Sequence, residues 1–209
     1  MKKLIFALAV SVAFFSHAQI QDSVIQKKLY VKANALFLPI GMLNAGLEYQ
    51  LNEKMTLQGE VFISPWKSFA GNASQIYMLG LDGRYYFNQA FKHWYVGANI
   101  SAARFIIRKY NYWGDGTYQY HDDAPIYNLP DLYQDGYTVI FGATVGYQFQ
   151  LADKWNMDLF LGAGSVQSFY KGYVKSLGIR YDTDSAPGYN KSGEFLPYRG
   201  GLMISYRLK

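Results

Sequence analysis

Seven charged residues, Lys32, Glu48, Glu60, Asp82, Arg84, Asp158 and Arg207, fall on the polar side of segments in which apolar and polar residues alternate. In an extended chain successive side chains point to opposite faces, so one parity shares one environment. If that environment is the inside of a narrow structure, ionised groups survive only when paired and hydrogen-bonded, because a stranded charge costs several kcal/mol. Three of the seven are basic and four acidic. That near-balance fits a mutually satisfied lumen network; the alternative chemistry for the same groups is a path for ions or protons.

Other chemistries find less support. Nucleophilic or acid–base catalysis would draw on His93 or His121, but neither has a serine at a recognisable spacing, and Asp122 and Asp123 beside His121 are only neighbours in sequence. No catalytic residue is assigned and the chain is read as not an enzyme. With no cysteine, thiolate metal sites and disulfides are excluded. The aspartates of residues 109–136 lack calcium-loop spacing, and no glycine motif cradles a phosphate, so neither metal nor cofactor is expected. That same segment holds Tyr110, Tyr112, Trp113, Tyr118 and Tyr120, a density of rings able to form an adhesive surface for a glycan or protein, or simply to pack over the end of the fold. Arg104, Arg108 and Lys109 are candidates for gripping lipid phosphates.

The elements that must position these groups are strands. Residues 137–151 alternate with one exception, Ile140 on the polar parity, over a length far beyond the five or six residues of an average soluble strand. The polar parity there carries Thr138, Gly142, Thr144, Gly146, Gln148 and Gln150 rather than the lysine and glutamate of a water-facing sheet. Comparable patterns predict strands over 30–38, 43–51, 55–64, 76–87, 93–108, 155–169 and 198–208, eight in all. Connections after the second, fourth and sixth are short, whereas 109–136 and 171–196 are long, the asymmetry of an up-and-down outer-membrane barrel with short periplasmic turns. Aromatic residues also fall at two levels. Tyr85, Phe87, Trp94, Tyr147, Phe149, Trp155 and Tyr206 belong to one and Trp66, Tyr77 and Tyr137 to the other. Ten residues of tilted strand rise about 25 Å, the height of the apolar band of such barrels.

The opening residues agree. Lys2 and Lys3, an apolar run over 4–15 and Ser16-His17-Ala18 read as a cleaved signal peptide, residues 1–18, followed by a short periplasmic segment, 19–29, and the barrel domain, 30–209. No later run is long enough for a membrane helix. The formal charge of +5 is too small to indicate a nucleic-acid partner, while 20 tyrosines suit a membrane boundary or an exposed sticky surface.

Lys32-x-Asn34, Gly46-x-Glu48, Glu60 followed by Pro65-Trp66, and Arg84-Tyr85-Tyr86-Phe87 resemble the pattern of a Bacteroidota family catalogued as domain of unknown function 3575. The layout is more loosely similar to OmpA-type eight-stranded domains. The resemblance implies an outer-membrane barrel without an established activity. The expectation is therefore an all-β protein, an eight-stranded antiparallel up-and-down transmembrane barrel. It would be monomeric, in contact with outer-membrane lipid and lipopolysaccharide, and structural or adhesive through its long loops, with an extracellular glycan or protein as possible partner. A narrow ion-conducting pore and a soluble lipocalin-like ligand-binding barrel, which would show the same alternation with its apolar side inward, are the competing readings.

Overall fold

Alternation in each long segment becomes a strand in the computed structural model, which describes residues 27–108, 114–183 and 188–209. The expected signal peptide, 1–18, lies outside the described residues. The strands are β1 (Leu29–Asn34), β2 (Leu43–Gln50), β3 (Met55–Phe69), β4 (Asn72–Tyr86), β5 (His93–Ile107), β6 (Thr117–Gln119), β7 (Ile126–Asn128), β8 (Leu132–Ala152), β9 (Trp155–Val174), β10 (Ile179–Arg180) and β11 (Asn190–Arg207). Eight of them, β1, β2, β3, β4, β5, β8, β9 and β11, pair antiparallel with their neighbours. The pairing of β11 with β1 closes the ring. Closure leaves no edge in the wall, and an eight-stranded ring has a lumen that side chains can fill.

Several strands run past their expected ends, and always at the long-loop end. β3 and β4 continue to a two-residue turn at Ala70 and Gly71, both at positive φ (49° and 83°), as a primed hairpin turn demands. β8 and β9 pair from the trimmed end up to Leu132 and Val174, and β11 begins at Asn190, so 132–136, 171–174 and 190–196 are wall rather than loop. β1 stops at Asn34, earlier than expected, because the chain turns into a short 3₁₀ segment at Leu38–Ile40.

The distribution of burial is inverted relative to a soluble sandwich. Among the described residues more buried side chains are polar or charged than apolar, while Leu79, Leu81, Trp94, Ile100, Phe141, Leu159 and Leu161 stand exposed around the outside. At the trimmed end the outer aromatics touch in pairs, with ring centroids 5.2 Å apart for Trp94–Tyr147 and 4.9 Å for Trp155–Tyr206. At the other end Tyr77, Arg104, Tyr137 and Phe169 are in register on successive strands.

Inside, large side chains need small neighbours. Tyr95 lies across Gly146 and Arg199 lies across Gly162, where an added methyl would sit 2.7 Å from Arg199 Cγ. The turn between β4 and β5 folds inward, so that Ala90 and Phe91 enter the barrel's end. There Phe91 meets Tyr30 at 4.5 Å and joins Tyr86, Tyr95, Phe160 and Met203 in an apolar plug. Gly146→Val should therefore lower the unfolding free energy by about 1–3 kcal/mol in a urea titration through overpacking against Tyr95. Gly59→Val, on the outer face with only Leu81 Cδ2 nearby at 3.8 Å, should change it by no more than about 0.5 kcal/mol.

Candidate functional site

The chemistry of the chain gathers in the lumen. Lys32 on β1 places its ammonium 2.8 Å from Glu48 Oε2 on β2 and 2.5 Å from Asp158 Oδ2 on β9. Arg84 on β4 reaches the same two acceptors, at 3.3 Å and 2.9 Å, from its Nη1. Two cations and two carboxylates thus alternate around a small ring across the barrel. From Arg84 the chain of charges continues through Nε to Asp82 Oδ2 at 2.9 Å. Asp82 lies 3.3 Å from Arg199 Nη1 on β11, and Arg199 Nη2 is 2.7 Å from Glu60 Oε2 on β3. All these side chains are wholly or almost wholly removed from solvent.

Neutral donors answer the one carboxylate in excess. Thr56 Oγ1 donates to Glu48 Oε1 at 2.6 Å, and Gln58 Nε2 donates to Glu60 Oε2 at 2.9 Å. The Tyr86 hydroxyl lies between Glu48 Oε1 (2.8 Å) and the Gln148 amide on β8 (2.6 Å). Tyr95 on β5 donates to Asp158 Oδ1 at 2.9 Å, and its ring faces the Arg84 guanidinium at 4.7 Å. Every strand of the ring therefore contributes a group. Hydrogen bonds to an ionised partner are the stronger kind, and losing one partner in such a place leaves the other charge uncompensated.

Six of the seven expected lumen charges, Lys32, Glu48, Glu60, Asp82, Arg84 and Asp158, come together here. Arg207 does not. It keeps the inward parity but stands half-buried at the trimmed end, in register with Tyr30. The third cation is Arg199, absent from the expected set although it shares the inward parity of Met203, Ser205 and Arg207; the bulge between Pro197 and Arg199 puts Tyr198 out of phase instead. The bulge turns both Tyr198 and Arg199 inward, and the Tyr198 hydroxyl donates to Asn99 Oδ1. The sequence signal for Arg199 is its shared parity with Met203, Ser205 and Arg207 within 198–208.

The remaining candidates separate. Arg104 faces outward, pairs with Asp135, donates to the Gly136 carbonyl at 2.9 Å and lies over the Tyr137 ring at 4.9 Å. Arg108 is buried instead of facing lipid. It donates to Asn72 Oδ1 at 2.8 Å and to the Gly114 carbonyl at 2.6 Å, which ties the end of β5 to the following loop. Lys109, Tyr110, Tyr112 and Trp113 lie outside the described residues. Tyr118 and Tyr120 are half-buried, edge-on to Tyr181 at 5.6 Å and 6.0 Å, in a cluster with Leu132, Val174, Tyr127 and Leu129. Those two rings hold the loops together; among the described residues of the two long loops the exposed large apolar side chains are Ile126, Leu177, Ile179 and Tyr189. His121, Asp122 and Asp123 form the exposed tip between β6 and β7, and His93 sits in the trimmed turn 2.8 Å from Asn88 Nδ2.

Lys32→Met should cost about 3–5 kcal/mol of stability by stranding Glu48 and Asp158. Adding Asp158→Asn should cost much less than its own single effect, with a coupling of about 0.5–3 kcal/mol in a double-mutant cycle. Additive effects would mean that the two groups do not act as a pair.

No curated protein matches the chain. The sequence profile of the family described as Protein of unknown function (DUF3575) matches residues 4–206. With almost the whole chain inside that match, the protein belongs to the DUF3575 family.

Proposed function

We propose that the protein is an integral barrel of a bacterial outer membrane, exported by a cleaved signal peptide and acting as a closed structural element that presents an ordered loop assembly outside the cell. The observation that carries this reading is the reversal of burial: charges and amides inside a closed ring, leucines and aromatic rings outside it. Bare hydrocarbon around a whole wall is unfavourable in water and favourable in lipid, and a ring without edges leaves no backbone group unsatisfied there. Its immediate partners are outer-membrane lipid and lipopolysaccharide, met along the apolar band and at Arg104 beside Tyr137. The barrel works as a monomer.

The lumen is shut to ions. The linked pairs from Lys32 to Glu60 occupy its middle, and Phe91 with Tyr30, Tyr86 and Tyr95 fills its trimmed end. No chemical step is assigned to His93 or His121. Among the described residues of the two long loops, contact with a glycan or protein falls to the exposed Ile126, Leu177, Ile179 and Tyr189, because Tyr118 and Tyr120 are engaged in packing.

Leu81→Arg discriminates this reading from a soluble carrier. In lipid an arginine near mid-wall costs about 2–4 kcal/mol, so the variant should unfold from vesicles at distinctly lower urea. On a water-washed surface the same change should stay within about 0.5 kcal/mol. Carbonate washing should leave the native protein with the membrane fraction; its release would contradict the proposal.

A further inference from the structure

The lumen changes character along its axis. On the trimmed side of Glu60 the inward positions are ionic, whereas toward the long loops they become Phe62, Ile76, Met78, Ala103, Phe105 and Ile140. These side chains line a cavity of ≈ 620 Å³, within the roughly 300–1,000 Å³ of small-molecule sites. Its floor is polar and includes Glu60, Arg199 and Asn44. The Arg199 side chain is only 4% exposed and spends Nη2 on Glu60, but its Nε has no hydrogen-bond partner. An unspent buried donor beneath an apolar chamber is the arrangement that fixes the polar end of a ligand.

We propose that this chamber binds one aliphatic amphiphile with an uncharged, hydrogen-bond-accepting head, its oxygen against Arg199 Nε and its chain along Met78, Phe105 and Ile140. The narrow lumen of an eight-stranded ring selects a thin chain over a fused-ring molecule. Local charge selects the head. Arg199 already serves two carboxylates, Glu60 and Asp82, so a carboxylate head would be a third acid around one guanidinium. An ammonium head would face the guanidinium and leave Arg199 Nε unspent. A hydroxyl or carbonyl oxygen satisfies it without altering the charge balance. Entry is from the long-loop end, since Phe91, Tyr86 and Tyr95 fill the other. The site rests on the closed barrel and its side chains, independently of the membrane in which the barrel is proposed to sit.

Methionine methyl NMR of the full chain in lipid nanodiscs, titrated with 1-dodecanol, dodecanoate and dodecylamine, tests it. The Met78 methyl should shift saturably with the alcohol, while the outward Met55 and Met157 follow only its gradual partition into lipid. Dodecanoate and dodecylamine should saturate Met78 at concentrations at least about tenfold higher, the effect of about one lost hydrogen bond to a charged donor. Ala103→Phe, which fills the chamber, should abolish saturation, and the outward Ala102→Phe should preserve it. A Met78 response that merely tracks Met55 and Met157, or tighter binding of either charged amphiphile, would overturn the proposal even if Ala103→Phe failed to assemble. If the barrel proved soluble, the same titration in buffer would still decide the question.

Discussion

Seven ionised groups removed from water in a closed space set the terms for the rest of this molecule. Each of the three cations bridges at least two carboxylates: Lys32 and Arg84 share Glu48 and Asp158, and Arg199 joins Asp82 to Glu60. Such a network can be favourable only if all its members arrive together, and they come from β1, β2, β3, β4, β9 and β11. A barrel open at any seam would wet the group beside it and weaken the interaction with its neighbours. Ring closure and charge pairing are thus two aspects of one requirement.

The space the network occupies is obtained at specific places in the wall. Glycines at 146 and 162 admit the Tyr95 ring and the Arg199 stem, and the bulge before Arg199 aims that stem across the barrel. Phe91 closes one end with carbon, and the loop cluster around Tyr181 braces the strands at the other. Between network and loops the inward residues are again mainly apolar, and there a chamber remains.

Much of this could be read from the chain itself. The strand pattern, the short turns near Asn52, Asn88 and Asp153, and six of the seven lumen charges follow from period-two alternation, a signal that depends only on which way side chains point. What alternation cannot convey is a change of phase. The bulge leaves Arg199 in phase with Met203, Ser205 and Arg207 and brings Tyr198 inward as well, and inward parity says nothing of the depth that separates Arg199 in the network from Arg207 at the trimmed end. The apolar chamber was available in principle: Ile76, Met78 and Ile140 sit on the same parity as Asp82, Arg84 and Thr144. Their apolar character reads as noise in a polar face until the strands are aligned. The loop tyrosines raise a different difficulty, since composition does not distinguish a ring that greets a partner from one, like Tyr118, that packs against Tyr181.

The central claim is that the wall faces hydrocarbon and the charges face each other. Because the chain contains no cysteine, single cysteines bearing nitroxide labels can be placed along β8 at successive positions from Val139 to Gln148. In lipid vesicles the account predicts that Val139, Phe141, Ala143 and Val145 show high collision with oxygen and almost none with a water-soluble nickel complex, alternating with low oxygen collision at Ile140, Thr144 and Gln148. Equal access of the nickel complex to the first set would contradict it.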